Sequence, residues 1–117
     1  MNIETRKEGE IVFVKPLSKN IDASVCTDFK GRVVDLINQG NNFLLLNLSL
    51  VDFIDSSGLG AIISILKTLK LSNGKIVICD MKNPVLNLFK LTRLDHVFEI
   101  CSNEKEGLAL LTKVNKE

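Results

Sequence analysis

The sequence predicts an α/β fold: a mixed sheet, mostly parallel, opened by an N-terminal hairpin and packed with helices. Three observations carry this. From Ile21 onward, helix-like and strand-like patterns alternate, which implies parallel strands joined by right-handed crossovers. The runs Phe43–Leu48 and Lys75–Asp80 are short and nearly continuous in apolar character, as suits central strands covered on both faces. Two weaker runs at the start flank the turn-like Lys7–Glu8–Gly9–Glu10 and fit a hairpin. The expected order is β-β-α-β-α-β-α-β-α.

The elements follow in chain order. Ile3 to Lys7 alternates weakly, Ile11 to Lys15 is a better strand, and Pro16 ends it. Ile21 to Gln39 is helical by period, with Val25, Phe29, Val33, Leu36 and Ile37 on one stripe. Asp22 or Ser24 is expected to cap its start, and Gly40 stands where a C-terminal glycine belongs. After Phe43–Leu48 comes a turn, then a helix-like segment, Ala61 to Leu71. Leu59, Ile62, Ile63, Leu66 and Leu69 are expected to point inward. Ser57, Ala61, Ser64 and Thr68, with Gly60 beside them, are expected to form a smooth, almost uncharged outer side. Asn73–Gly74 is a turn before Lys75–Asp80. Asn83–Pro84 opens a helix that carries Val85, Leu88, Phe89 and Leu91, and Thr92–Arg93 closes it. Val97 to Cys101 is the last strand. Asn103-x-x-Glu106 has capping-box form, before a helix with Leu108, Leu111 and Val114 on one face.

Composition narrows the function classes. At 117 residues, 45% apolar and 25% charged, the chain has the size and make-up of one globular domain. A net charge of +1, with no Trp or Tyr, supplies neither the basic field nor the stacking surfaces of a nucleic-acid binder. No apolar run approaches the ~20 residues that span a bilayer, and Met1–Asn2–Ile3–Glu4 does not read as a signal peptide, so a cytoplasmic protein is expected. Cys26, Cys79 and Cys101 are far apart, without metal-ligand spacing, and read as reduced core or near-core thiols.

The chain is organised around Asp52–Phe53–Ile54–Asp55–Ser56–Ser57–Gly58–Leu59–Gly60, a strand-to-helix turn. Its place after a central strand puts it at the carboxyl edge of the sheet, where α/β proteins tend to carry function. Lys19 to Asp22 is expected to reach the same edge. A serine at a helix start can cap free N–H groups or can receive a phosphoryl group. Nucleophilic catalysis needs a base in reach, and the lone histidine, His96, lies in a late loop that nothing places near Ser56. Gly58 and Gly60 match neither the Walker nor the dinucleotide pattern and read as packing or turn residues. Asp22, Asp52 and Asp55 fit no known metal loop; they read as a cap and turn residues, and no metal or other cofactor is expected.

Val51–Asp52–Phe53–Ile54–Asp55–Ser56–Ser57–Gly58–Leu59–Gly60 resembles the signature of STAS domains, specifically bacterial anti-sigma factor antagonists of the serine-phosphorylated type. Asn83–Pro84–Val85 and Leu88 to Phe98 resemble the family's closing helix and strand, so one STAS domain over residues 1–117 is implied. The resemblance implies a non-enzymatic partner switch. The unphosphorylated antagonist binds an anti-sigma factor that is also a GHKL-type serine kinase, which frees the sigma factor. Phosphorylation of the serine after the motif's Asp, Ser56 here, weakens that complex, and a PPM-type serine phosphatase restores it. The family's other marked acid matches Asp22. Partner contacts are then expected at Asp22, Asp55, Ser57 and Gly58, and along the helix at Gly60, Ala61, Ser64 and Thr68. The chain departs from the family at Ser18–Lys19–Asn20–Ile21–Asp22, where Lys19 takes the glycine position. A monomer or weak dimer is expected. The alternatives are an accessory subunit of a membrane transporter and a component of a signalling scaffold.

Overall fold

The computed structural model describes residues 1–116, and side chains for residues 1–113. Strands β1 (Ile3–Glu8) and β2 (Ile11–Pro16) form the expected antiparallel hairpin, with Glu8 opposite Ile11 across a two-residue turn. β4 (Phe43–Asn47), β6 (Lys75–Cys79) and β7 (Glu99–Cys101) extend it in parallel, in the order β1-β2-β4-β6-β7. Strands β3 (Asn20–Ile21) and β5 (Phe53–Ile54) lie apart from this sheet and pair in parallel with each other. The helices are α1 (Cys26–Asn38), α2 (Ser56–Leu71), α3 (Asn83–Leu91) and α4 (Glu104–Lys116), with a 3-10 turn at Leu94–His96.

Alternation along the strands builds two cores. Val12, Val14, Leu44, Leu46, Ile76 and Ile78 face α1, α2 and α3. Ile11, Phe13, Leu45, Val77 and Cys79 face α4 and its Leu111. Covering both faces explains the near-continuous apolar character of β4 and β6. Phe89 of α3 meets Phe98 edge to face, with ring centroids 5.9 Å apart. Arg6 lies 3.9 Å over the Phe13 ring and bridges to Glu104, closing the edge of the α4 core.

Several boundaries differ from expectation. α1 begins at Cys26 rather than Ile21, because Ile21 is fully buried in β3 against Ile54. Its N-cap is Val25, which supplies no side-chain bond. Asp22 instead turns the chain just before the helix: its carbonyl accepts from Val25 N and Cys26 N. α2 begins at Ser56, five residues ahead of the expected segment. Ile65, absent from the expected inward stripe, is 1% exposed, and Leu59 and Ile63 are only half-buried. β7 is shorter than expected and leaves Val97 exposed. Asn103 Oδ1 caps Glu106 N at 2.9 Å, while the Glu106 carboxylate accepts from Ser102 N rather than from Asn103. The expected apolar position Val114 has its side chain outside the described residues.

Candidate functional site

The small β3–β5 pair builds the site. Lys19 O accepts from Asp52 N at 2.7 Å and from Phe53 N at 3.2 Å, and Asp55 N donates to Ile21 O. Two loops from different parts of the chain are thereby clamped side by side at the carboxyl edge of the sheet.

Asp55 completes the clamp. Its backbone is extended, as an N-cap requires, and Oδ1 accepts from Gly58 N at 2.9 Å. Oδ2 accepts from Ala23 N at 3.2 Å, tying α2's start to the loop before α1. The capping residue is therefore Asp55, not a serine, and Ser56 occupies the first helical position with its side chain exposed. Gly58 is buried against β3: a Cβ there would stand 2.1 Å from Ile21 O. The motif's glycine thus lets the first turn of α2 touch the β3 backbone. Gly60 faces open space.

The aspartates divide by role. Asp22 Oδ1 accepts from the Ser24 hydroxyl at 2.5 Å and from Ser24 N at 3.0 Å. The hydroxyl bond does most to hold its carboxyl below the usual aspartate range. Asp52 is bonded by Lys82 Nζ, which lowers its pKa most, and the charge of Lys19 adds to the effect. Lys82 gave no signal in the sequence; the fold brings it from the start of α3. Asp22 and Asp55 are committed to neighbouring N–H and O–H donors, and no cluster of three potential metal ligands occurs among the described residues.

The expected contact residues separate on α2. At 100° per residue, Gly58, Ala61, Ile62, Ile65, Leu66 and Leu69 share the buried side. Ala61, expected on the outer side, is only 6% exposed, and Gly58 is likewise inward. Gly60 is exposed, and Ser57, Ser64 and Thr68 are half-buried. Thr68 Oγ1 is turned onto its own helix, donating to Ser64 O at 3.0 Å. His96 lines a surface pocket with Lys70 and Lys75 at the amino end of β6, on the edge opposite Ser56. It cannot serve Ser56 as a base from there. No helix among the described residues is long and apolar enough to cross a membrane.

The arrangement is an exposed hydroxyl on the first turn of a long helix, on an edge tied by the bonds of Lys19, Asp55 and Ile21. Residues 2–107 match the family described as STAS domain. An anti-sigma F factor antagonist of Paenibacillus polymyxa is 33% identical over 72 residues, 62% of each chain. The crystal structure of a candidate anti-sigma factor antagonist from Thermotoga maritima superimposes with a TM-score of 0.87 at 27% identity, covering 94% of both chains. The Bacillus cell fate determinant SpoIIAA in its phosphorylated form shares the fold, with a TM-score of 0.70 at 17% identity over 92% of this chain and 97% of that one.

Proposed function

The chain belongs to the STAS domain family, and from that premise we propose that it is a cytoplasmic anti-sigma factor antagonist switched by phosphorylation of Ser56. In this reading the unmodified protein binds an anti-sigma factor that is also a GHKL-type serine kinase, and so releases a sigma factor. The kinase transfers phosphate to Ser56 Oγ, and a PPM-type phosphatase removes it. The protein catalyses neither step; it is the substrate of both enzymes and acts as a monomer or weak dimer.

The observation that carries this reading is the state of Ser56. It is exposed, it is not used as the cap, and it sits at the positive end of a 16-residue helix. A phosphoserine adds about −1.5 to −2 charge at pH 7. The helix end favours that charge, whereas Asp22, Asp52 and Asp55 oppose it. The clamp of Asp55 onto Gly58 N and Ala23 N does not involve the Ser56 hydroxyl, so the fold can persist while the surface becomes sharply more acidic. The phosphorylated form in which SpoIIAA has been solved supports the same kind of modification here.

The test is to incubate the protein with ATP and the anti-sigma factor kinase of its own genome, and to map the phosphate by mass spectrometry. Modification at Ser56, abolished by Ser56→Ala, is expected. Phosphate elsewhere, with Ser56→Ala still modified, would refute the site.

A further inference from the structure

Exposed apolar side chains gather beside the clamp. Leu17 is 43% exposed, Leu50 42% and Phe53 54%. Leu17 directly follows β2, Leu50 lies in the loop after β4, and Phe53 opens β5 beyond that loop, so all three lie past the carboxyl ends of strands of the main sheet. Hydrogen bonds join their segments: Lys19 O, two residues past Leu17, accepts from both Asp52 N and Phe53 N. Their neighbours Leu48, Val51 and Ile54 are at most 3% exposed. The segment from Leu48 to Ile54 therefore sends three apolar side chains into the core and two, Leu50 and Phe53, into solvent. Single exposed apolar residues are ordinary. Three on one side of the main sheet, with an aromatic among them, have the composition of an interface core.

We propose that Leu17, Leu50 and Phe53 form the apolar anchor that seats the anti-sigma factor kinase, on the sheet-edge side of Ser56, with Lys19 at its rim. This rests on the function proposed above and names the surface that would carry it.

Geometry commits the patch to that occupant. Phe53 is three residues from Ser56, so the chain holds their Cα atoms within about 11 Å. An interface of standard size buries ~800 Å² per partner, a disc of roughly 16 Å radius. A partner centred on the Ser56 hydroxyl therefore has the exposed Phe53 within its reach. The outer side of α2 offers less: Leu59 and Ile63 there are half-buried against the core, Ala61 is buried, and Thr68 is bonded to Ser64 O. Lys82 is engaged by Asp52, whereas Lys19 has no ion-pair partner among the described residues. The matching surface on the kinase is an apolar socket with a carboxylate at its border. Phosphate on Ser56 would bring a dianion to the edge of that socket, where desolvation opposes it.

Calorimetric titration of the anti-sigma factor kinase of the same genome into the wild-type protein, Phe53→Ser, Leu50→Ser and Leu71→Ser tests this. Leu71, 89% exposed at the far end of α2, is the control. Phe53→Ser is expected to weaken binding roughly 30-fold or more, Leu50→Ser by a smaller factor, and Leu71→Ser less than twofold. Circular dichroism melts of each variant are run alongside; should Phe53→Ser not fold, Leu50→Ser and Leu17→Ser decide. Equal affinity of wild type and the anchor variants overturns the inference and leaves the proposed function standing. No binding by the wild type overturns both. Wild-type self-association in sedimentation that Phe53→Ser abolishes would make the patch a contact between copies, and also overturns the inference.

Discussion

Two glycines of the motif, two residues apart on the same helix, are expected to respond to alanine in opposite directions. Alanine is favoured over glycine by about 0.8–1.0 kcal/mol within a helix. At Gly60 an added Cβ meets nothing within 4 Å, so Gly60→Ala is expected to realise that gain. For a chain of this length the unfolding entropy is on the order of 0.25 kcal/mol/K, so about 1 kcal/mol corresponds to roughly 4 °C, and Tm should rise by about 3 °C. At Gly58 the added Cβ would stand 2.1 Å from Ile21 O, 2.8 Å from Ile54 Cγ2 and 3.0 Å from Ile21 C. Two of these three atoms are backbone, held in the β3–β5 pair, and Ile21 O also accepts from Asp55 N. Relief requires α2 to move off β3 by about 1 Å, which strains the cap and opens the core. Overpacking of this kind costs about 1–3 kcal/mol or more, and the helix-propensity gain offsets only part of it. Gly58→Ala is therefore expected to lose about 1–2 kcal/mol net and to lower Tm by roughly 4–8 °C. Scanning calorimetry in one buffer measures both variants against wild type. A Gly58→Ala protein as stable as wild type, or two variants shifted equally upward, would refute the close α2–β3 contact.

Asp55→Ala removes acceptors from Gly58 N and Ala23 N and is expected to cost about 2 kcal/mol in urea denaturation. Asp55→Ser, which can still cap α2 but not reach Ala23, should fall between the two. Asp28 accepts from the N-terminal ammonium at 2.8 Å, the main cause of its lowered pKa. Asp22, Asp28 and Asp52 have folded pKa values below the ordinary ~3.9 of an unfolded aspartate, so their stabilisation is complete above that value and fades as pH falls through the lower folded ones. Urea midpoints should thus be flat from pH 7 to about 4.5 and drop below it, with a shallower drop in Asp22→Asn. Burial pushes the Cys79 thiol far above the usual range, and the Cys101 thiol is raised by the same cause. Cys79 should resist a thiol-labelling reagent at pH 8 in the native protein and react once urea unfolds it; rapid native labelling would contradict the placement of β6 in the core.

The main sheet was legible because its signals are local. Each central strand is one apolar run, and the hairpin, the Asn103 cap and the Gly40 stop are written in adjacent residues. The β3–β5 pair was not. Each strand is two residues long, and their pairing depends on Lys19 O meeting Asp52 N across 33 residues of chain. Missing that pair moved the start of α1 back to Ile21. The placement of the candidate residues was legible, since Asp22, Asp55 and Ser56 do lie on one edge. Its wiring was not: both serines looked like caps, yet the carboxylate one residue earlier reaches Gly58 N. Ala61 was misplaced because its small side chain gives no periodic signal, while the buried Ile65 on the same side was overlooked. The bond from Lys82 to Asp52 joins an exposed lysine to an exposed acid 30 residues away, a pairing that only the fold creates.

In the proposed switch, phosphate on Ser56 would alter binding without altering the fold, because Asp55 and the β3–β5 pair hold the edge through bonds that the Ser56 hydroxyl does not make. The most direct measurement is the affinity of the anti-sigma factor kinase for the unmodified protein and for the same protein stoichiometrically phosphorylated at Ser56. Tight binding of the first, and binding weakened at least tenfold in the second with Tm unchanged within about 2 °C, is the expected result. Equal affinities, or a phosphorylated protein that has lost its fold, would contradict the account.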